Sequence, residues 1–396
     1  MRVSRALRGV FYLGLFVMPF IYWPSAEVPY EIPKVWFFSR WVELLLLLSI
    51  IFHLPQISSK IFSSSVARIT LIYTGVVFIT AIIGVNFIKS LIGNFYRSDG
   101  LITFLHIVGF YLFIVFFWKK DWNNKYFFQT IAFSNSIFSL WIIVDAVRLF
   151  IFSDTQVVNW WGALGGPFGQ PVFLAGYIIV TIPTFIYQIK SSRNIIRIFW
   201  LAGLLFNLIA LFFTRSWTAP FGILVLLSIY SFIYLKRRGR LIIGATLLIA
   251  FISISIWYMA HRPKTFVYEG RTRIYLKMFF SSLKRPLVGW GLANADFAFD
   301  ASHWPVVLEK DIYIDKAHGS ALEVFVTSGV FGLIFYLALL ILVIKRLILL
   351  SRNGDFFYQT LLVMVLVFII HSQTNIISIS EEIIFWLAAG IVSREK

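Results

Sequence analysis

One long polar segment of this sequence, residues 261–319, contains nine Lys or Arg and six Asp or Glu side chains. Its cations are Arg262, Lys264, Arg271, Arg273, Lys277, Lys284, Arg285, Lys310 and Lys316, and its carboxylates are Glu269, Asp296, Asp300, Glu309, Asp311 and Asp315. A guanidinium group keeps its charge and matches two phosphate oxygens at once, so several arginines in one segment are typical of a polyanion site. The same charges could instead form a solvated face or contact lipid headgroups.

His318 stands at the end of this segment and is the candidate general base. An imidazole titrates near neutral pH and can accept the proton of an attacking hydroxyl group. A lone histidine is more often a structural hydrogen-bonding residue, but this one adjoins the basic segment. Glu323, one helical turn later, could orient His318, act as the base itself, or only accept hydrogen bonds from nearby N–H groups.

Arg215 is a second candidate, because it lies between two long apolar runs that carry no other charge. An ionisable group in that position is a functional hypothesis by default. The alternative is an arginine that ends an apolar helix and extends its charge toward water.

Within the polar segment, residues 272–283 have the spacing of an amphipathic helix. Its predicted apolar face contains Ile274, Tyr275, Met278, Phe279 and Leu283, which favours a helix lying in a membrane interface. Arg271 would begin this helix, where its side chain and the free N–H groups can face one anion. Pro286 would stop it, and Gly289-Trp290-Gly291 would begin a turn.

The rest of the chain consists of apolar runs. Of 396 residues, 59% are hydrophobic and 13% are charged, whereas soluble domains contain about 45–50% apolar and about 25% charged residues. Runs of near-spanning length lie near 9–23, 36–54, 66–84, 101–118, 126–150, 172–189, 198–214, 218–235, 241–260, 320–344, 356–371 and 382–393. We predict an all-α, polytopic membrane domain over residues 1–396, with about twelve transmembrane helices and one long outer loop, 261–319.

Charge between these runs predicts the orientation. Lys and Arg in short loops favour the cytoplasmic side, and they gather in alternate breaks: Arg2, Arg5, Arg8; Lys60, Arg68; Lys119, Lys120, Lys125; Lys190, Arg193, Arg197; Lys236, Arg237, Arg238, Arg240; Lys345, Arg346, Arg352; Arg394, Lys396. Lys34, Lys89, Arg97 and Arg215 are the main exceptions on the opposite side. Both termini are therefore predicted to be cytoplasmic, with the first apolar run an uncleaved span rather than a signal peptide.

The remaining polar features have ordinary interpretations. Glu43 and His106 are expected in packed helix interiors, and Glu381 with Glu382 at the start of the last span. Residues 165–171 cannot continue a helix and form either a turn or a backbone surface for a substrate. The sequence contains no cysteine, which excludes disulfides, thiolate metal sites and a cysteine nucleophile. It has no nucleotide-binding or metal motif, so we expect no metal, cofactor or nucleic-acid ligand.

Four segments together resemble the O-antigen ligase and polymerase family of bacterial inner-membrane glycosyltransferases. They occur in the family's order and span most of the chain: Tyr96-Arg-Ser-Asp-Gly-Leu-Ile-Thr103, Gly166-Pro-Phe-Gly-Gln-Pro-Val-Phe-Leu-Ala-Gly-Tyr177, Gly270-Arg-Thr-Arg-Ile-Tyr275 with Arg285-Pro-Leu-Val-Gly-Trp-Gly291, and residues 315–333 around His318. The sequence departs from the family at two positions. Gly319 and Gln170 each stand where Asn is usual, and the first change removes an amide beside the proposed base.

The resemblance implies transfer of a glycan from undecaprenyl diphosphate to an acceptor hydroxyl at the periplasmic face, without a metal. His318 would take the acceptor proton, while Arg215 and Arg271, with Arg273 and Arg97, would hold the diphosphate. Lys316 and Glu323 are further candidate substrate-binding residues.

The acceptor separates three readings of this resemblance. A lipid A-core acceptor would make the chain an O-antigen ligase, which is the leading hypothesis. A second carrier-linked glycan would make it a polymerase, and a protein acceptor would make it an O-oligosaccharyltransferase. A transporter of lipid or polysaccharide is the alternative from another class, although the sequence shows no two-half symmetry.

Overall fold

The computed structural model describes residues 2–52, 64–118, 124–158, 164–236, 271–301, 313–352 and 354–395, together with isolated positions between 239 and 253. All regular secondary structure in these ranges is helical. The α-helices are α1 (Arg2–Val17), α2 (Glu31–Phe52), α3 (Ser65–Ile82), α4 (Phe87–Ile92), α5 (Leu101–Phe117), α6 (Asn124–Phe152), α7 (Pro171–Ser191), α8 (Asn194–Phe213), α9 (Thr218–Tyr234), α10 (Arg271–Ser282), α11 (Ala295–Asp300), α12 (Ser320–Ser351), α13 (Phe356–Ser372) and α14 (Ile379–Arg394).

A helix is present at eleven of the twelve predicted spans, and the twelfth, 241–260, lies almost wholly outside the described residues. Residues 261–270 and 302–312 of the long loop also lie outside them. Five helices are long and apolar enough to cross a membrane: Ser65–Ile82, Tyr126–Phe152, Pro171–Ser191, Asn194–Phe213 and Ser320–Ser351. The all-α membrane character is thus confirmed, while the count of about twelve spans stays a prediction.

Helices α7, α13 and α14 form the centre of the bundle. In α7, 78% of the 18-residue apolar stretch is buried inside the protein, compared with 22% of the corresponding stretch in α12. Around this centre α14 packs on α5, α12 on α3, and α6 on α8. A helix that is apolar on every side can be buried by protein on one side and by lipid on the other, so hydropathy could not distinguish the central from the peripheral helices.

The breaks that were predicted to face outward meet at one end of the bundle. There Arg97 pairs with Asp315, and Arg271 donates to the carbonyl of Thr374. At the other end, Arg346 donates to the carbonyl of Glu395 and Arg394 to that of Phe116. The two classes of break thus lie at opposite ends, and which end faces the cytoplasm stays a prediction.

Helix α12 is interrupted at Gly329, and the turn after α10 fills the interruption. Gly329 has φ 64° and ψ −165°, a conformation that glycine tolerates best. The carbonyls of Val326 and Thr327 accept the N–H groups of Trp290 and Gly291 at 2.8 and 2.9 Å. Because a broken helix within a membrane must satisfy its backbone groups elsewhere, this pairing fixes the long loop on the bundle.

Helix α10, Arg271–Ser282, covers the segment predicted to be an amphipathic helix, but its apolar residues face two directions. Ile274 and Met278 are buried against α11 and residues around Ala317. Phe279 and Leu283, which were predicted on the same face, are 46% and 50% exposed. The protein therefore covers one apolar side of α10, and the location of the helix in a membrane interface stays a prediction.

Glu43 and His106 lie side by side on α2 and α5, where their side chains are 2.9 Å apart. The Glu43 side chain is 43% exposed and also pairs with Arg40 at 2.5 Å. The expectation of a packed interior was thus wrong for Glu43, because residues 40 and 43 share an outward side of α2.

Candidate active site

A cavity of about 200 Å³ opens where the outward breaks meet. Its rim consists of loop residues, among them Arg97, His318 and Gly319. Its floor comes from helix interiors and includes Tyr73 of α3 and Trp386 of α14. The cavity thus joins three loops and several helices that are distant in sequence, as is common for small-molecule sites.

His318 lies at this rim in a strained backbone conformation. Its φ of 58° is uncommon for a residue with a β-carbon and is often associated with functional sites. The hydroxyl of Tyr275, on α10, donates to the His318 carbonyl at 3.2 Å. Among the described residues, no hydrogen-bond partner holds the imidazole ring, so its nitrogen atoms remain available to a substrate.

The electrostatic surroundings keep the His318 imidazole neutral. Burial lowers its pKa to about 4, and the positive charge of Arg271 and, more weakly, of Arg97 acts in the same direction. Asp315 opposes these effects without overcoming them. At neutral pH the ring therefore carries a free lone pair, which a general base requires.

Arg271 is anchored beside His318 by the turn between α13 and α14. Its Nη1 donates to the carbonyl of Thr374 at 2.6 Å, and its Nη2 donates to Oδ1 of Asn375 at 3.0 Å. A guanidinium has five N–H donors, so these two bonds orient it and leave others for an anion. The residue is exposed, which leaves room for a phosphate group.

Arg97 and Lys316 line the cavity but are engaged by carboxylates. Nε of Arg97 donates to Asp315 at 2.6 Å. Lys316 pairs with Asp99 and, at 3.2 Å, with Glu323. Burial disfavours the charge of Lys316, but its two carboxylate partners outweigh burial and raise its pKa. These contacts favour a structural role that joins residues 93–100 to residues 313–319.

Of the three roles that the sequence allowed for Glu323, its contacts agree with the last, which is to accept hydrogen bonds from nearby groups. One carboxylate oxygen accepts the N–H of Ala317 at 2.7 Å, and the other accepts from Lys316. Both oxygens thus have structural partners that shape the loop before α12. His318 is positioned by this loop rather than by a bond to Glu323.

Arg215, Arg271 and Arg273 are not among the residues that line the cavity. Arg215 is exposed, has φ 49°, and lies over the Phe150 ring at 5.7 Å. Thr218, three residues later, shares a small cleft with Asn375, the partner of Arg271. Arg273 is half-buried on α10, and two residues along a helix place it about 200° around the axis from Arg271.

The side chain of Lys34 packs beneath the protein surface against the glycine-rich turn before α7 and stabilises it. The Lys34 ammonium is fully buried, donates to the carbonyls of Ile21, at 2.7 Å, and of Pro167, and lies over the Phe168 ring. Gln170 is the N-cap residue of α7 and makes no side-chain cap bond. The turn interpretation of residues 165–171 therefore has direct support.

Several residues of the site were not singled out from the sequence. Asp99 and Asn375 lie near span ends and Tyr73 in the middle of α3, and only the packing of distant helices brings these three residues to the cavity. Gln373 bonds Ser320, a residue that lines it. Glu381 caps α14 with Ser378, as expected at a helix start, whereas Glu382 lines the cavity. In the described part of the chain, no group of three or more His, Asp or Glu residues could hold a metal ion.

Residues 202–337 match a family model described as O-antigen ligase. The match covers about a third of the chain, from α8 to α12, and includes Arg215, Arg271, Arg273, Lys316, His318 and Glu323. No curated protein matches the chain.

Proposed function

Because the chain belongs to the O-antigen ligase and polymerase family, which supports a glycan-transfer role in O-antigen assembly, we propose that it joins a glycan from undecaprenyl diphosphate to an acceptor hydroxyl. The reaction takes place at the periplasmic face of the bacterial inner membrane, with both termini in the cytoplasm. The leading acceptor is lipid A-core, which makes the activity that of a ligase. No metal or other cofactor takes part.

In the proposed reaction, the acceptor oxygen attacks the anomeric carbon of the donor glycan. A glycosidic C–O bond forms while the C–O bond to the diphosphate breaks, and the diphosphate leaves with the electron pair. His318 takes the proton of the attacking hydroxyl. Arg271 stabilises the charge that develops on the leaving diphosphate.

The observation that carries this proposal is that His318 and Arg271 lie at the same end of the bundle, where the charge of Arg271 acts on the His318 imidazole. A neutral imidazole with no described partner and an anchored, exposed guanidinium lie on the same outer face. This combination matches a reaction that needs a base for a hydroxyl and a cation for a phosphate. Arg215 and Arg273 remain proposed cations for the diphosphate although neither lines the cavity, while Arg97 and Lys316 maintain the loops.

The test is reconstitution of the purified protein in liposomes with an undecaprenyl diphosphate-linked glycan and lipid A-core. Product is expected from the wild type, and His318→Ala should lower the rate by a factor of about 10²–10⁴ while the fold is kept. His53→Ala is the matched control, since His53 lies at the predicted cytoplasmic end of the apolar run 36–54. A folded His318→Ala protein with the wild-type rate would refute the assignment of the base.

Parallel reactions decide the acceptor. Product from a second carrier-linked glycan instead of lipid A-core would identify a polymerase, and product from a protein acceptor would identify an O-oligosaccharyltransferase. The wild type giving no product with any acceptor would contradict glycan transfer and favour a transporter.

A further inference from the structure

Four carboxylates line the cavity beneath His318, and three of them have structural roles. These four residues are Glu31, Asp99, Glu323 and Glu382. Asp99 and Glu323 hold Lys316, as described above. Glu31 accepts from the hydroxyl of Ser378 at 2.8 Å and from the N–H of Ile379 at 3.3 Å, and so supports the start of α14.

Glu382 is the exception. Among the described residues its carboxylate accepts one hydrogen bond, from the indole Nε1 of Trp386 at 3.4 Å. This bond is long, and it connects two residues one turn apart on α14. A carboxylate has about four acceptor positions, so Glu382 keeps most of its hydrogen-bonding capacity for whatever fills the cavity.

The hydroxyl of Tyr73 gives a second, independent sign of a ligand. Tyr73 is 6% exposed and lines the same cavity, and no hydrogen-bond partner for its hydroxyl exists among the described residues. Buried polar groups nearly always have a partner. Tyr73 and Glu382 line the same cavity, so one ligand in that cavity can meet both polar groups.

Charge and polarity select the class of ligand. The cavity has four carboxylates against two cations, Arg97 and Lys316, so a diphosphate would meet a net negative lining. A prenyl chain would cover the Glu382 carboxylate without a hydrogen bond, which is unfavourable. A neutral polyhydroxyl ring satisfies both constraints, since it donates to a carboxylate and also contacts aromatic side chains such as Trp386.

We propose that Glu382 and Tyr73 bind the acceptor sugar of the transfer reaction at the floor of this cavity. The diphosphate of the donor then lies outside, at Arg271, and a free hydroxyl of the acceptor ring faces His318 at the rim. The volume of about 200 Å³ leaves room for a sugar ring. This inference rests on the proposed function and adds a binding site for the acceptor.

The test compares steady-state kinetics of the full-length wild type, Glu382→Gln and Tyr73→Phe in liposomes. The donor is the undecaprenyl diphosphate-linked glycan, and the varied acceptor is lipid A-core or the second carrier-linked glycan. Glu382→Gln should raise the KM for the acceptor about tenfold or more, and Tyr73→Phe should raise it about twofold to tenfold, from the usual strengths of charged and neutral hydrogen bonds. The KM for the donor and kcat at saturating acceptor should stay within about twofold.

Glu43→Gln is the matched control, because it makes the same change in a carboxylate outside the cavity. An unchanged acceptor KM in both cavity variants, with product still formed, would overturn the acceptor site and leave the proposed function intact. A collapse of kcat in Glu382→Gln would also overturn it, because it would make Glu382 a catalytic base.

A direct binding measurement separates the two proposals. Saturation-transfer NMR with the oligosaccharide released from lipid A-core, on protein in detergent, should give a signal with the wild type that Glu382→Gln weakens. If liposomes yield no product while this difference persists, glycan transfer fails and the sugar site stands. If product forms and the wild type gives no saturation-transfer signal, the sugar site fails.

Discussion

The side chain of Gln373 caps helix α12 by accepting the backbone N–H of Ala321 at 3.2 Å. Gly319 is the N-cap residue of this helix and has no side chain to do so. Asn at that position would normally accept the N–H group two residues later, and Asn is what the family usually has there. A β-carbon at Gly319 would lie 2.9 Å from the Gln373 carbonyl. Gln373 thus supplies the cap that residue 319 lacks, and the absence of a β-carbon at Gly319 leaves room for the Gln373 carbonyl.

Gln373→Ala should therefore lower the stability of the protein by about 1 kcal/mol, the usual cost of a lost cap. Thermal unfolding in detergent measures the change. Gln170→Ala is the control, since Gln170 is exposed and makes no side-chain cap bond. An equal melting temperature for Gln373→Ala and the wild type would mean that water replaces this cap without loss.

The pH dependence of transfer should reveal the lowered pKa of His318. In the free enzyme, kcat/KM should stay high as pH falls through 6.5 and should decline only as pH approaches 4, because burial and Arg271 keep the imidazole neutral. Bound diphosphate adds negative charge and raises the pKa of His318, so the acid limb of kcat should lie at higher pH. A decline of kcat/KM centred at pH 6.5 would contradict the burial of the His318 imidazole beside Arg271.

The lowered pKa of His318 also makes the stability of the protein depend on pH. A histidine whose pKa is lower in the folded protein than in the unfolded chain binds protons preferentially in the unfolded chain. The contribution of His318 to stability is therefore lost as pH falls from 6.5 toward 4. His318→Gln should reduce this pH dependence in melting curves recorded between pH 4 and pH 7, and a slope equal to that of the wild type would contradict it.

Arg271→Lys should weaken donor binding about tenfold, because one ammonium cannot keep both anchoring bonds and still present a fork to phosphate. The KM for the undecaprenyl diphosphate-linked glycan measures this effect. Asn375→Ala should produce part of the same loss, since it removes one anchor. Arg197→Lys, at the opposite end of the bundle, is the control. Unchanged donor affinity in Arg271→Lys would exclude a bidentate contact.

Apolar runs and charge alternation were sufficient to place most helices, because spanning length and hydropathy are local properties. The sequence also indicated the helix of residues 271–282. The interruption of α12 at Gly329 was not predictable, since it needs the distant turn at Trp290 to satisfy the carbonyls of Val326 and Thr327. The ion-pair partners of individual cations could not be predicted from the sequence either. Lys316 binds Asp99 across more than two hundred residues, and no local pattern links the two.

Lys316 provides the sharpest distinction between substrate binding and loop positioning. Its ammonium holds Asp99 and Glu323 in a largely buried place, so Lys316→Met leaves two carboxylates without their cation. Removal of one partner from such a group costs about 3–5 kcal/mol, and the melting temperature should fall clearly. Asp99→Asn in the same chain removes one uncompensated charge and should restore part of the loss. If Lys316 instead binds the donor, Lys316→Met would raise the donor KM at an unchanged melting temperature, and Asp99→Asn would not restore it.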